Sequence, residues 1–176
     1  MGYSAGIIVA GGKMMVNNYA PALLRDVTPR MFARVPVVAG TVIKANHPAW
    51  CLGHLSIYPR NVFEMLGLDT TPVQNPPNYP DLFKDGTECK DDAEGTIYPA
   101  MDEVVTRFTN AYKALFTAIE AQSDESLARP NPREGRSREL FPTIGVLAGF
   151  LCGAHISMHL GQMSTWRRCM GLGSAM

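Results

Sequence analysis

Apolar residues recur at helical intervals along much of this chain, most clearly between positions 97 and 119. There Ile97, Met101, Val104, Val105, Phe108, Ala111, Tyr112, Leu115, Phe116 and Ile119 keep the i, i+3, i+4 rhythm of an amphipathic helix. An earlier helical segment covers about Met14 to Val35, with Met15, Tyr19, Ala22, Leu23 and Leu24 apolar. Thr28-Pro29 breaks it, because threonine caps a helix and proline opens a new one. The chain then turns through Pro36 to Gly40, and Asn46-His47-Pro48 marks the next helix start. That second helix carries Trp50, His54, Ile57 and Tyr58 on one side, kinks at Pro59 and ends near Gly67. A final helix runs from Ile144 to about Met170, after Thr143 as cap and before Gly171 and Gly173 as terminators.

Two long connections separate these elements. Leu68 to Thr96 has little periodicity and holds Pro72, Pro76, Pro77 and Pro80, with room for one helical turn at Leu82. Loops of this length in a compact domain are uncommon and often serve as lids or pocket walls. Gln122 to Leu140 is polar and contains Ser123 and a proline–arginine cluster. No segment alternates in a way that predicts a sheet. The expectation is one all-α domain over residues 1–176: a four-helix bundle with long loops between helices two and three and between three and four. Residues 1–13 are read as a disordered N-terminal extension.

Charge and composition narrow the partners. Sixteen basic residues balance sixteen acidic ones, so no net field attracts a polyanion. Arg129, Arg133, Arg136 and Arg138 cluster, but among Pro130, Pro132, Gly135, Glu134 and Glu139, which reads as a solvated loop and not a nucleic-acid stripe. The apolar run Gly6 to Ala10 is too short for a signal or a membrane span, and the run from Ile144 to Ala154 is interrupted by three glycines. The expected partner is a small molecule, with no nucleic acid and no membrane. The four cysteines form no C-x-x-C pair, which predicts reduced, mostly buried thiols and a cytoplasmic location.

The chemistry sits in four histidines. His155 and His159 lie one turn apart on one helix face that continues through Leu151, Gln162 and Trp166. This spacing offers two imidazoles to one ion, and it equally fits two packed core histidines. A buried polar group without a partner costs about 1–3 kcal/mol, which a shared ion would remove. His54 joins the pair if the second and fourth helices are neighbours. His47 lies roughly 10 Å from His54 along the helix axis, at ~1.5 Å per residue. It is therefore a helix-start residue, a support behind the ligands, or an acid/base group in the pocket. Gln162 is placed to hydrogen-bond a ligating ring or a metal-bound water, or else to tie helices together. His47 and Gln162 are the candidate catalytic residues. Cys51 and Cys152 are offset in angle from the ligand face and are not assigned to it.

Two segments resemble a known family. Asn46-His47-Pro48-Ala49-Trp50-Cys51-Leu52-Gly53-His54-Leu55 is similar to the W-x-x-G-H-L element of DinB-like proteins. His155-Ile156-Ser157-Met158-His159-Leu160-Gly161-Gln162-Met163, with Arg167-Arg168 and Gly171 following, resembles that family's closing helix. The resemblance implies a four-helix bundle, a divalent metal held by His54, His155 and His159, and a homodimer. It further implies a thiol S-transferase-like activity, in which the metal activates a low-molecular-weight thiol for attack on an electrophile. Three nitrogen ligands leave open coordination positions, as catalytic sites do, and suit zinc or nickel. Two other readings stay open: hydrolysis by metal-activated water, with His47, Asp81, Asp85 or Glu88 as base, and a non-catalytic metal-binding, stress-related protein.

Overall fold

Residues 2–175 are described by a computed structural model, and the chain is mostly helical. Its first helix, α1, passes without a break through Tyr3–Met14, Met15–Tyr19 and Ala20–Leu24, the middle section being a π turn. This corrects the expectation of a disordered extension over 1–13, of which position 1 lies outside the described residues. Ala5, Val9, Gly12, Val16, Ala20 and Leu23 are buried at intervals of three and four, which is a helical core face. Glycines at 2, 6, 11 and 12 hide that face from a reading by propensity, because glycine weakens a helix by ~1 kcal/mol relative to alanine. Gly12 is needed for close approach: a Cβ there would sit 2.5 Å from the Cys152 carbonyl oxygen. The helix is tied down at both ends of this stretch, by the Ser4 amide donating to Asp124 (3.0 Å) and by Lys13 pairing with Glu120.

The buried Arg167 guanidinium caps the far end of α1, donating to the carbonyls of Leu23 and Arg25, and also donates to the carbonyl of Leu172 just past the end of the last helix. Those carbonyls lack helical partners, so a cation with several donors suits them. After Thr28 the chain restarts at Pro29 as expected, but only for one turn, α2 (Pro29–Phe32). The absence of sheet is also corrected. β1 (Val37–Val38) pairs antiparallel with β2 (Thr41–Val42), Val37 opposite Val42. The turn between them is Ala39-Gly40, both at positive φ (48° and 79°), the geometry a two-residue hairpin requires.

The helix α3 spans Pro48–Ile57, and Pro59 opens a separate α4 (Pro59–Leu66) that ends at left-handed Gly67. The following connection contains a 3₁₀ turn at Thr71–Val73 and a short helix α5 (Tyr79–Phe83). Next comes α6 (Met101–Glu120), whose buried stripe is Val104, Phe108, Ala111, Tyr112, Leu115, Phe116 and Ile119. The short helices α7 (Asp124–Ala128) and α8 (Arg136–Leu140) occupy the second connection, with Ser123 capping the first of them. The last helix, α9, runs through Ile144–Gly149, Phe150–Ala154 and His155–Cys169, with a π turn in the middle and Thr143 accepting from the Val146 amide at its start.

α1 and α3 each pack against both α6 and α9, and the buried apolar side chains of all four form one cluster. α9 is the one helix among the described residues long and apolar enough to cross a membrane, and half of its most apolar stretch is buried inside the molecule. A core helix passes that test as readily as a span does. Here its buried face lies against α3 and carries His155 and His159.

Candidate metal centre

α3 begins at His47, whose Nδ1 accepts from the Trp50 amide (3.2 Å) in the manner of an N-cap side chain. Its other nitrogen, Nε2, therefore carries the proton and donates to the Lys90 carbonyl (2.9 Å). Both nitrogens are used and the ring is fully buried, edge-on to Tyr98. Burial holds its pKa below the ordinary value, against the Lys90 carbonyl, which raises it. Of the roles open to His47, the structure gives it the helix start, and it lies outside the histidine cluster.

One and two turns on, Trp50 and His54 project from the same side. Trp50 Nε1 donates to Thr87 (3.1 Å), and its ring stacks on His54 with centroids 4.6 Å apart and planes at 15°. His54 Nδ1 donates to the Phe83 carbonyl (2.6 Å), which fixes the tautomer and leaves Nε2 with a free lone pair. From α9, His159 Nδ1 donates to Gln162 Oε1 (2.9 Å), again leaving Nε2 bare. Asn46 Nδ2 (3.2 Å) and the Cys51 thiol (3.7 Å) face the same Gln162 atom, so three donors identify it as the amide oxygen. His155 completes the group: its Nε2 lies 3.2 Å from both His54 Nε2 and His159 Nε2. The ligand atoms of the three side chains lie within 4.8 Å of one another.

Protons alone leave this cluster unsatisfied. With Nδ1–H on His54 and His159, only His155 can place a proton among the three Nε2 atoms, and one proton cannot serve two acceptors at once. His155 Nδ1 is buried without a hydrogen-bond partner. If that atom holds the proton instead, three lone pairs face one another. Each unpaired buried polar atom costs about 1–3 kcal/mol. A cation accepts all three lone pairs together, so the donor set fits a metal ion. The charge state fits too. Burial pushes His54 down to about 4 and His155 to about 3, with neighbouring imidazoles adding to the effect, and it lowers His159 as well. Neutral imidazole is the form that ligates.

The walls are aromatic. Phe150 stacks on His155 (5.3 Å, 25°) and Tyr58 meets it edge-on (4.8 Å, 82°). The π turn Phe150–Ala154 ends where His155 begins, and the buried Tyr112 hydroxyl donates to its Leu151 carbonyl (3.4 Å). Only a narrow part of the cluster meets solvent, His54 being 4% exposed and His155 and His159 6% each. A separate cleft of about 1020 Å³, walled by Phe32, Arg34, Tyr98 and Met101 among others, includes none of the three histidines.

His54, His155, His159 and Gln162 thus come together as the sequence suggested, whereas Cys51 and Cys152 stay outside the histidine cluster. What the sequence reading missed is the backing of His54 by a main-chain carbonyl and the Phe150 wall. A carbonyl leaves no trace in residue type; the aromatic pair Tyr79 and Phe83, four apart within the proline-rich connection, was the available sign. Among known protein families, the DinB superfamily profile matches residues 17–163, a range that contains all four histidines and Gln162. No curated protein matches the chain.

Proposed function

Because the chain belongs to the DinB superfamily, we propose that His54, His155 and His159 hold one divalent metal ion through their Nε2 atoms and that this centre is catalytic. The convergence of three bare Nε2 atoms, two of them fixed by hydrogen bonds behind the ring, carries the reading. Zinc or nickel suits three imidazoles. When bound, such an ion supplies Lewis acidity and lowers the pKa of a coordinated thiol or water.

The proposed reaction is transfer of a low-molecular-weight thiol to an electrophile. Trp50, Tyr58 and Phe150 give the centre aromatic walls of low polarity, in which a bound ion's charge on a thiol is poorly screened by water. Hydrolysis calls for a base, yet Asp81, Asp85 and Glu88 are exposed, and Asp85 acts on His54 only through space. A substrate that brings its own nucleophile needs only positioning. In this reading Gln162 and the Phe83 carbonyl orient the ligands, and His47 holds the start of α3. The protein is cytoplasmic and a homodimer, a state supported by the exposed Tyr3, Ile7 and Met14 along one side of α1. Equilibrium sedimentation at a monomer mass would remove the dimer from the reading.

The metal is tested by elemental analysis of chain purified without chelator. About one zinc or nickel per chain is expected, and none for His155→Ala with its helical circular dichroism intact. Wild-type chain without metal, and unable to take it up, would overturn the proposal. Turnover of a generic electrophile that rises with added thiol supports transfer; turnover independent of thiol would sink that choice of reaction.

A further inference from the structure

Behind His54 stands an atom from a different part of the chain. The Phe83 carbonyl at 2.6 Å belongs to the connection between α4 and α6, so the orientation of a ligand depends on how that connection lies. Three ring nitrogens of α3 meet it in succession: His47 on Lys90, Trp50 on Thr87 and His54 on Phe83. Phe83 itself is seated by Gly53, where a Cβ would come within 2.4 Å of the phenyl ring. The ring is fully buried, with Tyr79 and Tyr98 at 5.0 and 5.7 Å, so it has no room to swing aside.

We propose that Phe83 is a positioning residue for the metal centre. Its carbonyl, set by the packing of its ring on Gly53, aims His54 at the ion, so that metal binding and closure of the Tyr79–Tyr98 connection form one equilibrium. The proposal rests on the three histidines being metal ligands. Groups that orient a ligating histidine typically change affinity by about 10–100-fold when lost. By linkage the effect is reciprocal: if closure strengthens metal binding by some factor, bound metal favours closure by the same factor.

Cobalt(II), followed by its visible absorption in competition with a chelator, is the probe. Gly53→Ala places a methyl group against the ring although alanine is the better helix former, and its cobalt affinity falls about tenfold or more. On the wild-type chain, cobalt slows tryptic cleavage after the exposed Lys84 and Lys90 by about tenfold, with cleavage after Arg136 in the other connection unchanged as internal control. Should Gly53→Ala fold as wild type and bind cobalt within about twofold of it, the positioning role is overturned. Equal cleavage at Lys84 with and without cobalt overturns it as well, and that measurement needs no variant. Failure of the wild-type chain to bind cobalt would instead bring down the metal reading, and this proposal with it.

Discussion

The two long connections look alike in composition and behave oppositely. Both are rich in proline and polar residues. The first, from Leu68 to Ala100, spends its polar groups on the helices: its carbonyls and Thr87 receive the ring N–H groups of His47, Trp50 and His54. The second, from Arg129 to Thr143, turns inward. Its centre is Asn131, fully buried, which donates to the Phe141 carbonyl (2.9 Å), accepts from the Arg133 amide (3.0 Å) and pairs its own amide with Pro142 (2.9 Å). One connection backs the histidine cluster directly; the other closes mainly on itself ahead of α9 and reaches the cluster only through Phe141 packed on Phe150 (4.8 Å). The difference lies in buried aromatics: Tyr79 and Phe83 anchor the first connection at 0% exposure, whereas arginines of the second remain exposed.

If that contrast is right, damage to the first connection should be costlier and should reach the metal. Phe83→Ala removes a fully buried ring and is expected to destabilise by about 3–5 kcal/mol, read as a shift in urea unfolding. Asp92→Ala comes next, at about 3 kcal/mol, because the Asp92 carboxylate accepts from the amides of Thr96, Ile97 and Tyr98. Burial raises the Asp92 pKa, but those amides outweigh it and leave the carboxyl below its ordinary 3.8. A depressed carboxylate stabilises the fold above its unfolded pKa and loses that contribution as pH falls through the folded value. The gap between wild type and Asp92→Ala should therefore stay constant from pH 7 to about 5 and narrow below 3.8. An unchanged gap at low pH would count against the carboxylate.

Effects in the second connection should be smaller and silent at the metal. Asn131→Ala is expected to cost about 2 kcal/mol in unfolding while leaving cobalt affinity within about twofold. A large loss of affinity would break the comparison. Arg136→Ala, on the exposed α8, should change stability by no more than about 0.5 kcal/mol.

Much of the centre was legible because its signals are local. His155 and His159 share a face by spacing alone, and Gln162 follows one turn on. The stripe from Val104 to Ile119 gave α6, although the helix starts at Met101 and leaves Ile97 partly exposed. Thr143 caps α9, and Pro48 opens α3 with His47 as the capping residue. What stayed hidden depends on distant partners. The Tyr3–Met14 stretch reads poorly because Gly11 and Gly12 lower its propensity, yet Gly12 lets α1 approach Cys152. The hairpin at Val37–Val42 is too short to alternate, and its turn depends on Ala39 taking a positive φ. The Phe83 carbonyl could not be foreseen, since every residue carries one.

The π turn in α9 bears on how chain length can vary among descendants of this sequence. A π turn holds an extra residue that an α turn does not. Losing one residue between Phe150 and Ala154 would return the segment to ordinary α spacing and keep His155 and His159 facing α3. A residue lost between His155 and His159 has no such slack: the second imidazole would turn by about 100° off the shared face. Between Phe150 and His159, length changes that keep both imidazoles on one face are thus confined to the five residues just before His155.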